Sequence, residues 1–145
     1  MKQLIAFLFF WVVGTTAVFA GDDKPITVDK LPVEAKRFIE QYFKGTEVSY
    51  AKVDKDWLDK SYEVIFVTGS KVEFDDKGKW KDIECRRSEV PAGIIPGQIV
   101  KYVAQYHAGQ KIVEIDRDRR DYEIKLENGI ELKFDMKFNL IGFDD

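Results

Sequence analysis

The sequence predicts an α+β fold in which two tandem repeats, each a helix followed by a four-stranded antiparallel sheet, share one core. Three observations support this prediction. The segment LPVEAKRFIEQYFKG, which begins at Leu31, is repeated as IPGQIVKYVAQYHAG from Ile95. The segment YEVIFVTGSKVEFDDK from Tyr62 is repeated as YEIKLENGIELKFDMK from Tyr122, with six of sixteen positions identical. In each copy the period of the apolar residues changes from helical spacing to alternation, as expected where strands follow a helix.

The N-terminal residues are predicted to form a signal peptide. Lys2 precedes an uncharged, mostly apolar run over residues 4–20, and small or branched residues occupy positions Val18 and Ala20. Cleavage is expected after Ala20. A retained membrane anchor is the alternative, but the run is shorter than the roughly 20 apolar residues that span a bilayer. Position 21 is glycine rather than cysteine, so the sequence predicts a periplasmic or secreted protein without a lipid anchor.

Charge and cysteine content narrow the class of partner. The chain of 145 residues has a formal net charge of −3, and charges of both signs are mixed along it. Such a mildly acidic chain argues against nucleic acid or an anionic membrane as the main partner, and no membrane span is expected after signal cleavage. Cys85 is the single cysteine, so no intrachain disulfide can form. A half-buried free thiol is expected, and a disulfide to another chain is the alternative.

Each predicted helix begins at a proline and ends before a glycine. Pro32 and Pro96 suit the first helical position because proline lacks the N–H group that would have no partner there. Gly45 and Gly109 suit the end of a helix, where a positive φ is often needed. The apolar stripes contain Leu31, Ala35, Phe38, Ile39, Tyr42 and Phe43 in the first copy and Ile95, Ile99, Tyr102, Val103 and Tyr106 in the second.

Alternating apolar and polar residues, separated by glycine-containing turns, predict four strands in each copy. These are residues 47–54, 61–67, 71–75 and 79–85, then 111–117, 121–127, 130–135 and 139–144. Short connections make the strands antiparallel. Because two helices can cover only one face of such a sheet, the other face is expected to meet solvent or a partner.

The predicted organisation has five segments, and the two repeats are expected to share a core because one copy alone could bury little. The segments are residues 1–20 (signal peptide), 21–30 (N-terminal segment), 31–85 (first repeat), 86–94 (linker) and 95–145 (second repeat).

The doubled pattern LPxxxxxFIxxYFxG … YEVxFxxGxxVEFDxxGxW resembles the PepSY-like family of periplasmic proteins from Gram-negative, Bacteroides-type bacteria. The resemblance covers nearly all of the chain after residue 20. It implies a fold similar to that of the β-lactamase-inhibitor protein, and it carries over no inhibitory residue, because the shared motifs are packing and turn residues. The second copy departs from the pattern at Phe138 and Leu140, where the first copy has Gly78 and Trp80.

The sequence offers little for catalysis. His107, the only histidine, aligns with Phe43 on the apolar stripe, so a structural role is favoured over a catalytic one. No nucleophile elbow, phosphate-binding loop or Cys/His metal set is present. The segments DKDWLDK from Asp54 and DRDRRD from Asp116 lack the glycine and terminal glutamate of a calcium-binding EF-hand, and are interpreted as polar hairpin turns. We therefore predict no cofactor, no metal site and no enzymatic activity.

Five residues are candidates for partner binding. An insertion in the first copy places Trp57 and Leu58 at a hairpin tip, where an exposed tryptophan often anchors an interface. The alternative is that Trp57 folds back onto the sheet edge. The outward face of the first copy carries Tyr50, Ile65 and Val67, an apolar set that indicates a contact surface or packing between copies or in a dimer. The second copy has charged residues at the matching places: Glu114, Lys125 and Glu127.

These observations predict a non-catalytic, secreted or periplasmic module that binds an unidentified protein or peptide through its open sheet face, with an inhibitor as one form of that function. The alternative is a sensor that binds a small ligand or peptide between the repeats. A deep apolar pocket would favour the sensor, whereas an open sheet with exposed aromatic residues would favour protein binding.

Overall fold

The computed structural model describes residues 23–145, so the predicted signal peptide lies outside the described residues. Within this range, nine strands form one antiparallel sheet in strict chain order, and two α-helices accompany it, which confirms the α+β class. The elements are β1 (Asp23–Ile26), a 3₁₀ helix (Val28–Lys30), α1 (Val33–Tyr42), β2 (Val48–Lys55), β3 (Lys60–Phe66), β4 (Lys71–Phe74), β5 (Trp80–Glu84), α2 (Gly97–Tyr106), β6 (Ile112–Arg117), β7 (Asp121–Leu126), β8 (Glu131–Asp135) and β9 (Leu140–Asp144).

The eight strands predicted from alternation all form, each within one residue of its predicted bounds at either end. β1 is absent from the sequence prediction because its four residues, DKPI, show no alternation and include Pro25. It is held at the edge of the sheet by antiparallel pairing with β2, in which Ile26 lies opposite Ala51. Proline is tolerated at such an edge because its missing N–H need not join the ladder.

The helix ends differ slightly from the predicted positions. Pro32 and Pro96 are N-cap residues with extended ψ values of 150° and 137°, so each helix starts one residue later than expected. An extended residue before the first turn leaves the proline ring free of the helical backbone. Gly45 and Gly109 both have φ of 83° and lie beyond the C-cap residues Phe43 and His107, respectively.

Both helices pack on the same face of the sheet through aromatic contacts. Phe38 of α1 meets Phe74 of β4 edge-on with ring centroids 5.6 Å apart, and Tyr102 of α2 meets Phe134 of β8 in the same way at 5.4 Å. Side chains from both halves of the chain form one contiguous buried cluster. The opposite face of the sheet is covered by neither helix, and we call it the open face.

The two halves of the chain join where β5 pairs with β6. Ile83 and Ile115 lie opposite each other in this pairing, and both are fully buried on the helix side. At the end of the same junction the guanidinium carbon of Arg117 lies 3.8 Å from the centroid of the Trp80 ring. Its Nε also donates a hydrogen bond to the Trp80 carbonyl at 2.9 Å. The cation–π contact and the hydrogen bond reinforce the strand pairing.

Gly78 lies in the turn between β4 and β5, where the backbone passes very close to the start of α1. Its φ is 89°, and a Cβ at this position would lie 2.8 Å from the Ala35 nitrogen and 2.9 Å from the Pro32 Cβ. Phe138 occupies the turn between β8 and β9 with φ of 68°, where its ring packs against Tyr122 at 5.6 Å. The second copy therefore keeps a left-handed turn residue although the glycine is replaced.

We expect Gly78→Ala to lower the free energy of unfolding by about 3 kcal/mol or more, because backbone strain and a steric clash act together. Gly69→Ala is the matched control, since Gly69 has φ of 91° but no atom within 4 Å of the added Cβ. It should cost about 1–2 kcal/mol, the left-handed strain alone. Urea unfolding of the two variants measures the difference. Equal losses would show that the approach to α1 does not constrain the turn.

Candidate functional site

The open face carries two rows of cross-strand neighbours, one from β2 to β9 and the other from β1 to β9. The first row contains Tyr50, Ile65, Lys71, Glu84, Glu114, Lys125, Glu131 and Asp144. The second contains Pro25, Lys52, Glu63, Glu73, Asp82, Asp116, Glu123, Lys133 and Gly142. Most of these residues are charged, so this face is a patterned electrostatic surface with apolar residues at one end of the first row.

Carboxylates meet in the middle of the face, and we call Asp82, Glu84, Glu114 and Asp116 the acidic cluster. Asp82 lies opposite Asp116, and Glu84 lies opposite Glu114, across the β5–β6 pairing. One carboxylate oxygen from each of Asp82, Glu84 and Glu114 can be chosen so that all three lie within 4.8 Å of one another. Like charges that face each other across a strand pair destabilise a sheet, so this arrangement works against the fold.

The cluster follows directly from the alternation that builds the core. Ile83 and Ile115 must point toward the helices, and each therefore forces its two neighbours in sequence onto the open face. All four of those neighbours are acidic. Burying the isoleucine pair thus brings the four carboxylates together, and a one-residue change of register would expose the isoleucines.

Basic residues neutralise one side of the cluster. Glu84, which is almost completely buried, accepts ion pairs from Lys71 at 3.3 Å and from Arg86 at 2.9 Å. Lys71 is shared, because its Nζ also lies 3.4 Å from a Glu63 carboxylate oxygen. Among residues 23–145, no such ion pair reaches Asp82, Glu114 or Asp116.

Asp82 is the carboxylate of the cluster whose charged form is most strongly disfavoured. Its Oδ1 atom is buried and has no hydrogen-bond partner within the described part of the chain. Burial, together with the negative charges of Glu114, Asp116 and Glu84, raises the pKa of Asp82 to about 7. Burial is also the main cause that raises the pKa values of Glu114 and Asp116 above their usual ranges. The cluster would be relieved by a proton or by a bound cation.

The donor set suits a hard cation. Calcium binds carboxylate oxygens and water in flexible geometry with six to eight ligands, so three converging, partly buried carboxylates on the open face can supply part of its shell. The carboxylates come from two neighbouring strands rather than from one loop. This placement explains why loop motifs in the sequence gave no indication of the cluster.

The acidic segments first considered as calcium loops are hairpin turns stabilised by their own aspartates. Asp118 Oδ1 accepts hydrogen bonds from the backbone N–H groups of Arg120 and Asp121 at 2.7 and 3.0 Å. These bonds lower the pKa of the Asp118 carboxyl. Asp56 Oδ1 accepts the N–H of Trp57 at 2.7 Å in the corresponding turn of the first half. These oxygens are thus engaged by the backbone.

The predicted partner-binding residues form two separate groups. Tyr50, half exposed, lies directly opposite Ile65 on the open face, and Val67 follows at the exposed end of β3. Trp57 and Leu58 occupy the β2–β3 hairpin tip and are 88% and 75% exposed. Trp57 therefore does not fold back onto the sheet edge. Trp57 lies seven positions after Tyr50, beyond the end of β2, which corresponds to about 20 Å of extended chain, so one small contact cannot include both groups.

The two residues with reactive side chains occupy structural positions. The His107 ring, at the C-cap of α2, lies 6.1 Å from the Tyr102 ring and 6.4 Å from the Phe143 ring. Cys85 is a free, buried thiol whose pKa is raised mainly by that burial. A protonated, buried thiol is a poor nucleophile.

A cleft lies at the junction of the two halves, beside Trp80 and Arg117. Its volume is about 590 Å³, and seven of its ten lining residues carry a charge, among them Asp75, Lys81 and Arg119. It is not the deep apolar pocket expected of a sensor that binds ligands between the repeats.

Separately, none of the helices within residues 23–145 has the length and apolar character needed to cross a membrane.

The fold and the site define a small α+β module with a helix-covered core and an uncovered, charged sheet face. The chain belongs to the PepSY-like family: residues 60–142 match the family model described as "Putative beta-lactamase-inhibitor-like, PepSY-like". The resemblance seen in the sequence is therefore confirmed. A comparison with curated proteins gives no match.

Three solved structures from Bacteroides are similar over most of this chain. One, from Bacteroides thetaiotaomicron, is described as a "putative calcium-regulated periplasmic protein"; it is 52% identical, with a TM-score of 0.84, over 86% of this chain and 98% of that one. A "putative periplasmic protein from DUF2874 family" from Bacteroides vulgatus is 50% identical, with a TM-score of 0.83 and the same coverage. A second Bacteroides vulgatus protein, described as a "putative periplasmic protein of unknown function", is 39% identical, with a TM-score of 0.81, over 85% of this chain and 99% of that one. The predicted periplasmic or secreted location agrees with all three descriptions.

Asp82→Asn should stabilise the protein at pH 8 by about 1 kcal/mol, after allowance for solvent screening at this partly exposed face. With a folded pKa near 7 and an ordinary value of 3.8, Asp82 keeps its proton in the folded state where the unfolded chain loses it. Its contribution to stability is thus fully present below about pH 4 and is lost as the pH rises to about 7.

Urea unfolding of the wild type and of Asp82→Asn between pH 4 and 8, in chelator, measures this effect. The variant should gain stability relative to the wild type as the pH rises. Glu131→Gln, at an exposed position on the same face, is the control and should follow the wild type. If the two proteins differ in free energy of unfolding by the same amount at every pH in this range, the raised pKa of Asp82 is contradicted.

Proposed function

We propose that this protein is a non-catalytic periplasmic module whose open face binds calcium at the acidic cluster and a protein partner beside it. The observation that carries the proposal is the convergence of Asp82, Glu84 and Glu114 within 4.8 Å on the uncovered face. The buried, unpartnered Asp82 Oδ1 adds support, because a cation would supply the partner that the described residues do not. The 52% identical protein described as calcium-regulated gives further support.

Calcium is the cation that this arrangement favours. Carboxylate oxygens are hard ligands, and the exposed side of the cluster leaves room for the water molecules that complete a calcium shell. Three carboxylates without a dedicated loop suit the weaker class of extracellular calcium sites, with Kd of about 0.1–1 mM. The ion would link β5 to β6 and offset the repulsion between the facing carboxylates.

Lys71 connects the acidic cluster to the neighbouring apolar residues of the first row. In the first row it stands between Ile65 and Glu84, and it forms ion pairs with Glu63 and Glu84. A cation that engages Glu84 competes with Lys71 for the same carboxylate. Released from Glu84, Lys71 would change the charge presented next to Tyr50 and Ile65, and calcium would thereby alter the surface offered to a partner.

We expect calcium to stabilise the wild-type protein, raising its midpoint of thermal unfolding as the calcium concentration increases from 0.1 to 10 mM, a range chosen around the Kd of about 0.1–1 mM. Asp82→Asn and Glu114→Gln should each weaken calcium binding at least tenfold by isothermal titration calorimetry, because each removes a charged ligand. Glu131→Gln, which changes the charge of the same face equally, is the matched control. The proposed site would be contradicted if both cluster variants bind calcium as tightly as the wild type does, or if the wild type does not bind calcium at 10 mM.

A second contact surface is proposed for a protein partner. Tyr50 and Ile65 form the apolar end of the otherwise charged first row, and Val67 follows just after β3. Trp57 and Leu58 are strongly exposed at the hairpin tip. Exposed aromatic and aliphatic groups of this kind are typical interface anchors. An inhibitor-type role, in keeping with the family description, is one form that such binding could take.

We also propose an inhibitor-like arrangement of two tandem repeats with a shared core, and the family description supports the inhibitor-like part of it. Each half of the described chain contains one α-helix followed by four strands, and the two halves contribute to one buried cluster. The alternative role, a sensor that binds between the repeats, has weaker support because the junction cleft is lined mainly by charged side chains.

Tyr50→Ala and Trp57→Ala should each weaken partner binding by about 2 kcal/mol, or about thirtyfold, if both groups anchor the interface. The partner would be captured from periplasmic extract with and without calcium, then purified and titrated against each variant. Val33→Ala, an exposed apolar position on α1, and His107→Phe should bind like the wild type. Circular dichroism controls for folding. Unchanged binding in both Tyr50→Ala and Trp57→Ala would exclude these surfaces.

A further inference from the structure

A second cleft lies at the β1 edge of the sheet, on the face that carries the helices, and we call it the lysine cleft. Its volume is about 610 Å³, which is within the range of sites for small molecules. Ile26 of β1, Val53 of β2 and Tyr62 of β3 form its apolar base. Val53 and Tyr62 lie opposite each other and are buried, whereas Ile26 is only partly covered.

Every charged side chain that lines this cleft is a lysine. Lys30 comes from the end of the 3₁₀ helix, Lys55 from the end of β2 and Lys60 from the start of β3. Among residues 23–145, no ion pair involves any of these three lysines. The lysine cleft is therefore a locally positive site in a chain whose formal net charge is −3.

Two of these lysines face each other across a strand pair. Lys55 lies directly opposite Lys60, and the Lys60 Nζ atom lies 5.4 Å from the centroid of the Tyr62 ring. Like charges in such positions destabilise a sheet. The aspartates of the adjoining turn, Asp56 and Asp59, each accept a backbone N–H group and form no ion pair with either lysine. An anion held between the two ammonium groups would offset their repulsion.

The corresponding cleft of the second copy is the junction cleft beside Trp80, and its chemistry differs. Tyr122 corresponds to Tyr62 in the repeat, and the residue paired with it is Arg117, where the first copy has Val53. Arg117 stacks on Trp80, and three aspartates also line that cleft. An apolar base with uncompensated positive charge around it is therefore a property of the lysine cleft and not of its counterpart.

We propose that the lysine cleft binds a small anionic amphiphile, a molecule with a carboxylate or phosphate head and an apolar body. The body would cover Ile26, Val53 and Tyr62, and the head would lie between the ammonium groups of Lys55 and Lys60, which form charge-assisted hydrogen bonds with such oxygens. A single small molecule fits better than a membrane surface, because the buried base is out of reach of a flat bilayer. The site lies on the opposite face from the acidic cluster and does not rest on calcium binding.

Octanoate and octyl phosphate are the probes, used as monomers with the exported protein in chelator, so that the proposed calcium site plays no part. NMR titration should shift the backbone amide signals of β1 and of the facing ends of β2 and β3, with a Kd on the order of 1 mM. Octanol should bind about fivefold more weakly than octanoate or less, because it carries no charge. Butyrate should bind about tenfold more weakly or less, because its apolar chain is shorter.

The double variant Lys55→Gln/Lys60→Gln should weaken octanoate binding about fivefold or more, because it removes both charges that face the head. The double variant Lys44→Gln/Lys101→Gln is the matched control, since both of these lysines are exposed and neither lines the cleft. It changes the net charge equally and should bind like the wild type. Thermal unfolding checks that both variants are folded.

Several outcomes would overturn the proposal. One is the absence of amide shifts at about 20 mM octanoate, well above the expected Kd. Octanol that binds as tightly as octanoate, or equal binding by the two double variants, would exclude a role for the lysines. Inorganic phosphate that binds as tightly as octyl phosphate would exclude a role for the apolar base. Co-sedimentation with phosphatidylglycerol vesicles, without binding of the monomeric probes, would identify a membrane surface instead.

Discussion

The pairing of β5 with β6 is the constraint on which the rest of this molecule depends. Burial of Ile83 against Ile115 joins the two halves of the core, and the stacking of Arg117 on Trp80 reinforces the junction. Because side chains alternate along a strand, the residues before and after each of these isoleucines must face the open side. One strand pairing therefore accounts for both the continuity of the core and the position of the acidic cluster.

The acidic cluster is consequently a destabilising element that the fold tolerates. Four carboxylates could be replaced by polar residues without loss of core packing, since none of them contributes to the helix-covered side. Strained or repulsive groups in otherwise well-packed proteins are often associated with function. The ion pairs of Glu84 with Lys71 and Arg86 neutralise one side of the cluster. On the other side lies the Asp82 oxygen that has no hydrogen-bond partner among residues 23–145. This asymmetry favours a ligand that approaches from the solvent side of β5 and β6.

Local sequence patterns predict most of the fold but little of the site. Strand bounds could be predicted within one residue because alternation and turn glycines are local signals, as at Gly69 and Gly129. β1 could not, because its four residues form a strand only through pairing with β2. The acidic cluster depends on the register between β5 and β6, which 27 residues separate in the chain. Acidic residues alternate at Asp82 and Glu84 and again at Glu114 and Asp116, and this alternation was the signal available in the sequence. Only the register between β5 and β6 shows that the two acidic pairs lie opposite each other.

The strict chain order of the sheet has a consequence for how the molecule acquires its structure. Every strand lies beside its neighbour in sequence, and only the β1–β2 and β5–β6 connections contain a helix. Most long-range contacts can therefore form by closing short hairpins, which keeps the contact order low for a protein built on a nine-stranded sheet. The polypeptide can add strands one after another without threading or a late crossover. This topology shortens the interval in which apolar strands are exposed before the helices cover their inner face.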